Sequence, residues 1–184
     1  MLSEKDRLLE VISEELDAFT SDSRNDYLES AKKLGVTAKV DEAVVIIGNE
    51  PAPKYVASCT ELLQKYKVVL LAASGRNLQK LVAVAEQIKH ASKSQIAQFN
   101  KVSTQPSLIN PAYRAEQSMK NVQVFFGDDT ASQSDTPSQG DSASTALREI
   151  RGHKVYDVPC LRIILAQNTD IPANGLSGWS LQKS

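Results

Sequence analysis

Residues 67–81 read KVVLLAASGRNLQKL, and a change of rhythm within this stretch decides the fold. Lys67–Ala73 is a short run of aliphatic and β-branched residues, which predicts a buried strand. Ser74-Gly75-Arg76-Asn77 makes a turn, with Gly75 supplying the backbone freedom that a tight reversal needs. From there Leu78, Leu81, Val82, Ala85 and Ile88 recur at intervals of three and four. That spacing predicts a helix with one apolar face, leaving Gln79, Lys80, Glu86, Lys89 and His90 outward.

The same alternation extends in both directions. Upstream, Ala43–Ile47 (AVVII) is a buried strand closed by Gly48 and Asn49. Pro51 and Pro53 suit a helix start. Val56, Cys59, Leu62, Leu63 and Tyr66 then form one apolar stripe. Downstream, Gln95–Val102 reads as a half-exposed strand, with Ile96, Ala97, Phe99 and Val102 as its apolar members. Val158–Ala166 reads as a final strand with Pro159 near its start.

Strand–helix–strand–helix–strand–strand predicts an α/β (α+β) domain with a single mixed sheet and two crossover helices on one face. The expected domain covers residues 41–168. It contains an insertion at 103–157, in which Val122–Phe126 could extend the last hairpin. Within that insertion, Asp128–Ala146 has almost no apolar residue and is expected to be disordered.

Before the domain, residues 1–40 are expected to form a helical extension. Ser3 and Asp6 signal a helix start, and Leu8, Val11, Ile12, Leu16 and Phe19 mark a helix over about 4–18. A second helix over 26–34 ends at Gly35. Residues 169–184 form a tail whose Trp179 either anchors it on its own domain, the favoured reading, or docks into a partner.

The net charge of −1 conceals a segregation: residues 1–50 carry −6, residues 51–127 carry +7 and residues 128–184 carry −2. A basic middle suits a polyanion site, or a solvated basic face. Cys59 and Cys160 sit in apolar patterns without neighbouring Cys or His, so buried thiols are expected. The longest apolar runs fall far short of the ~20 residues that span a bilayer. The opening residues lack the apolar core of a signal peptide. An unsecreted soluble protein with no membrane partner is therefore expected.

His90 and His153 form no constellation, no metal-ligand spacing occurs, and neither a metal nor another cofactor is expected. The sharpest local feature is the Gly75-Arg76-Asn77 turn into a helix, where free N–H groups favour an anion. Arg76 could grip a phosphate bidentately, with Lys80 one turn further on. A tight connection carrying a solvated arginine fits the residues equally well. Lys54, Lys65, Lys67, Lys89, Lys93 and Lys101 could widen the basic surface, or be ordinary solvated lysines. The turn could also serve a small nucleotide-binding enzyme as a phosphate cradle. It has one glycine, though, where a dinucleotide fingerprint needs a spaced set.

The strand–Gly75-Arg76–helix unit, with Lys80 four residues after the arginine and the stripe ending at Ile88-Lys89, resembles the Alba family of nucleic-acid-binding proteins. Residues 43–102 and 158–168 carry this resemblance. Ile96–Ser103, Val158–Leu165, Asp170-Ile171-Pro172 and Gly178-Trp179 further resemble the larger Alba-type subunits of fungal nuclear RNase P and RNase MRP.

The resemblance implies a non-catalytic RNA-binding subunit in the nucleus and nucleolus, serving tRNA and rRNA precursor processing. It would be a heterodimer with a smaller Alba-type protein, holding a helical arm of the RNase P or MRP RNA, or of telomerase RNA, among other protein subunits. Hydrolysis would belong to the RNA. The implied RNA-binding residues are Gly75, Arg76, Asn77 and Lys80, with Lys54 as compensation. Archaeal members carry a basic pair in the loop that here reads Gly48-Asn49-Glu50-Pro51, and an acid there disfavours their manner of DNA binding.

Overall fold

The structure, a computed structural model, describes residues 4–36, 39–92, 94–109, 154–167 and 175–182. The expectations for Val122–Phe126, Asp128–Ala146, His153, Lys93 and Asp170–Pro172 fall outside these residues. The chain divides into two compact units, Ala18–Thr104 with Pro159–Ser184, and Met1–Asp17 with Gln105–Val158.

The first unit is built on the sheet. Strands β1 (Val44–Ile46) and β2 (Val68–Ser74) run parallel, Val44 opposite Leu70 and Ile46 opposite Ala72. Helix α3 (Ala52–Tyr66) makes the crossover between them. Strand β4 (Tyr156–Gln167) lies antiparallel to β2, Val68 opposite Ala166 and Ser74 opposite Cys160. Strands β3 (Ile96–Ser107) and β5 (Ser180–Gln182) complete the mixed order β1-β2-β4-β3-β5. The single mixed sheet expected from the sequence is thus present, with one added strand. That strand is β5, from the tail, which pairs antiparallel with β3 through Phe99 and Leu181. Three residues with alternating polar neighbours give too weak a period to identify as a strand.

Apolar residues alternate along β2 because each face meets a different layer. Val69, Leu71 and Ala73 pack with Cys59 and Leu63 of α3 and with Leu81, Ala85 and Ile88 of α4 (Leu78–Ala91). Val68, Leu70 and Ala72 pack with Phe19, Tyr27 and Ala31 of α1 (Glu4–Lys33). Helices therefore cover both faces, which is why β2 and β4 read as continuous apolar runs. Val84 is buried on α4, whereas Val82 is 44% exposed, contrary to the sequence reading. The stripe through Leu81, Ala85 and Ile88 passes Val84, and Val82 lies about 100° around the helix from Leu81.

The N-terminal extension is one 30-residue helix, not two. Residues 20–23 (TSDS) resemble a break, but Ser23 Oγ donates to Phe19 O at 2.8 Å within the helix. The end at Gly35 is as expected. Its φ is 66°, Gly35 N–H donates to Lys32 O, and Val36 N–H donates to Ala31 O at 3.0 Å, a left-handed cap that satisfies the terminal carbonyls. A four-residue helix, α2 (Val40–Ala43), then leads into β1.

One charge is buried against the helix-covered sheet. Arg162 of β4, only 5% exposed, donates from Nε to Ser23 Oγ at 3.0 Å and from Nη1 to Ser103 Oγ at 2.9 Å. Its guanidinium stacks 4.9 Å from the Phe19 ring, and Nε lies 3.4 Å from Asp26 Oδ2. Asp26 also accepts from Lys101 Nζ at 2.6 Å. Trp179 packs on the same core, with Lys101 Nζ 5.8 Å from its ring, so the tail is anchored on its own domain. Cys59 and Cys160 are buried as thiols, and burial pushes the Cys59 thiol up to about 12.

In the second unit, Leu8 packs with Ile109. Glu15 accepts from Leu108 N–H at 2.8 Å and from Ser107 Oγ at 2.9 Å, and Gln105 Nε2 donates to Glu15 O at 2.8 Å. A carboxylate receiving a backbone N–H and a hydroxyl at once fixes the end of β3 to its own stretch of α1.

Removing Asp26 leaves Arg162 and Lys101 without their shared carboxylate. Asp26→Ala is expected to cost about 3 kcal/mol in urea unfolding, more than Asp26→Asn, because a buried charge then lacks compensation. Burial also pushes the Tyr27 phenol from its ordinary 10.0 up to about 12. Its contribution is fully present below the ordinary value and is lost as pH rises between those values, where the unfolded chain ionises first. Tyr27→Phe is expected to flatten the fall in urea midpoint across that window. Below it the cost should be about 1 kcal/mol, since only the 3.3 Å bond to Val68 O is lost.

Candidate nucleic-acid interface

Because β1 and β2 are parallel, their carboxyl ends lie at the same end of the sheet. The segments that follow, residues 47–51 and Gly75–Asn77, therefore come side by side. In α/β sheets this is where ligands are bound. Gly75–Asn77 forms a single 3₁₀ turn leading straight into α4, and neither first turn contains an acidic residue. Gly75 has φ 57°, a left-handed conformation that penalises any residue with a Cβ.

Arg76 is exposed, and its Nη2 donates to Asn49 Oδ1 at 3.2 Å. Lys80, one turn along α4, points its ammonium into the facing loop, donating to Gly48 O at 2.7 Å and Glu50 O at 3.0 Å. Gly48 N–H donates to Tyr55 Oη at 2.8 Å. Lys54 pairs with Glu50 at 3.1 Å across one turn of chain, with both side chains more than half exposed. Such a pair contributes little stability. It does locally offset the acid that distinguishes this loop. Asn77 precedes α4 and makes no side-chain capping bond.

The five residues singled out from the sequence, Gly75, Arg76, Asn77, Lys80 and Lys54, thus gather at one end of the sheet. Asn49 and Tyr55 join them. No local spacing announces these two, because their roles exist only where two loops distant in sequence meet. The wider basic surface is largely spoken for: Lys65 pairs with Glu42 at 2.7 Å, Lys89 with Glu86 at 2.7 Å and Lys101 with Asp26 at 2.6 Å. The charge segregation along the chain is therefore partly intramolecular complementarity.

A cavity of about 340 Å³ lies where α3 and α4 finish, lined by Thr60, Gln64, Ser92, Ser94 and Gln167 around Leu63 and Ile88. Its described lining is uncharged. Among the described residues, no group of His, Cys, Asp and Glu could hold a metal ion, and no helix is long and apolar enough to cross a membrane.

Residues 43–105 match the Alba family model, a span that includes both loops and all seven residues just named. An Alba protein from Thermoplasma volcanium is similar at 15% identity and a TM-score of 0.36, over 67% of this chain and 98% of its own. No curated protein matches the chain.

Gly75→Ala places a Cβ on the left-handed turn. It is expected to lower stability by about 1–2 kcal/mol in urea unfolding and to displace Arg76. A variant as stable as the parent would mean that the turn relaxes without strain.

Proposed function

We propose that this chain is a non-catalytic RNA-binding protein that holds structured RNA by its phosphates at the paired loops after β1 and β2. The observation that carries this reading is the placement of Arg76, an exposed guanidinium at the head of α4, steadied by a side chain from the neighbouring loop. A planar guanidinium suits bidentate contact with phosphate, and the adjacent helix start adds N–H donors. The match of this segment to the Alba family supports it.

The finer assignment is a subunit of the RNase P and RNase MRP ribonucleoproteins, in nucleus and nucleolus, with hydrolysis carried by the RNA. A helical arm of that RNA, or of telomerase RNA, would be recognised through shape, phosphates and 2′-hydroxyls. The protein partner is a smaller Alba-type chain, within a larger set of subunits. Two features favour such a partner: Val82 on α4 and Val102 on β3 are large apolar side chains left 44% and 77% exposed.

Recovery of the tagged chain from its native cells, with RNA and protein both sequenced, tests the assignment. RNase P or MRP RNA together with a small Alba-type protein is the expected yield. In vitro, Arg76→Met is expected to weaken binding of a labelled RNA stem-loop about tenfold, and to reduce the salt slope by about 1. Binding of a labelled nucleotide in preference to RNA would instead favour a phosphate-cradling enzyme.

A further inference from the structure

We infer that Lys80 is a positioning residue, which acts on RNA through Asn49 and Arg76 and does not itself grip phosphate; this rests on the RNA-binding reading above. A lysine one turn behind an arginine at a helix head looks like a second phosphate ligand. Its ammonium is nevertheless turned to the protein, with donors 2.7 Å from Gly48 O and 3.0 Å from Glu50 O. Two of its three N–H groups are thereby used.

The two acceptors bracket a single residue. Gly48 and Glu50 flank Asn49, so one compact charge fixes the backbone on both sides of that side chain. Gly48 is held again at its N–H by Tyr55 Oη at 2.8 Å. Asn49 Oδ1 then meets Arg76 Nη2 at 3.2 Å. An exposed bond between two flexible side chains competes poorly with water unless one partner is already placed. Here the placement runs from Lys80 and Tyr55, through the loop backbone, to Asn49 and finally to the guanidinium. The Asn49 amide nitrogen keeps two donors of the kind a phosphate oxygen accepts.

A phosphate-binding lysine tolerates arginine, which is at least as good a phosphate ligand. A lysine seated between two carbonyls does not, because the guanidinium is planar and larger than the ammonium it replaces. Coupling separates the two roles further, since residues acting through one contact are not additive.

The test uses the full chain, Lys80→Met, Lys80→Arg, Arg76→Met and the Lys80→Met/Arg76→Met double variant. Each is titrated with a labelled RNA stem-loop, and amide hydrogen exchange at Gly48, Asn49 and Glu50 is measured without RNA. The expected result is about a tenfold loss for each single variant, Lys80→Arg included, and the same loss of about tenfold, no greater, for the double. Faster exchange at the loop amides should accompany both Lys80 variants while the amides of β2 stay protected.

Wild-type affinity in Lys80→Arg, or a double variant weakened about a hundredfold, would make Lys80 an independent phosphate contact and overturn the inference. So would unchanged exchange at the loop. A wild-type chain that binds no RNA overturns the functional reading and the coupling to RNA with it. The exchange result then still decides whether Lys80 organises the loop.

Discussion

Everything in the larger unit depends on the burial of β2 from both sides. Six of its seven residues are buried, so no face of the strand can meet water and each needs its own layer. α3 and α4 supply one layer and α1 the other. The backbone groups of a strand so enclosed must also be paired on both edges, and β1 and β4 do this. β1 runs parallel to β2, which the α3 crossover between them makes possible, and parallel neighbours bring their following loops together. The candidate interface is thus a consequence of how an apolar strand is enclosed.

Covering the second face raises a question of specificity, because aliphatic surfaces alone would let a long helix slide. Arg162 answers it at one position. Its guanidinium reaches Ser23 and Asp26, three residues apart on one side of the helix, while stacking near Phe19. Taking such a charge out of water is costly, and its partners must be correctly spaced to offset that cost. A helix shifted by one turn would strand the arginine. The Schellman-type end at Gly35 then stops the helix before the connection to β1.

Much of this was legible in the sequence where the period was strong. The helices after Pro51 and Asn77, the buried strands and the exposed Arg76 all follow from residue spacing. Three features were not, each for a physical reason. The polar stretch at 20–23 looked like a break because a hydroxyl bond from Ser23 to Phe19 O cannot be read from composition. β5 is too short to have a period. The cluster of Asn49, Tyr55 and Lys80 is assembled across about thirty residues of chain, so its members look like unrelated polar residues until the loops meet. Lys80 itself was visible, but not the direction its ammonium takes.

The same long-range pairing tempers the basic middle of the chain, where Lys65 and Lys101 pair with Glu42 and Asp26 of the N-terminal segment and Arg76 stays exposed. An interface so concentrated should leave a narrow footprint. Photocrosslinking the full chain to a labelled RNA stem-loop, with crosslinked peptides identified by mass spectrometry, measures that footprint directly. Crosslinks confined to the peptides carrying residues 48–55 and 74–80 are the predicted result. Crosslinks that bypass both loops, or fall mainly on the acidic α1, would contradict the account.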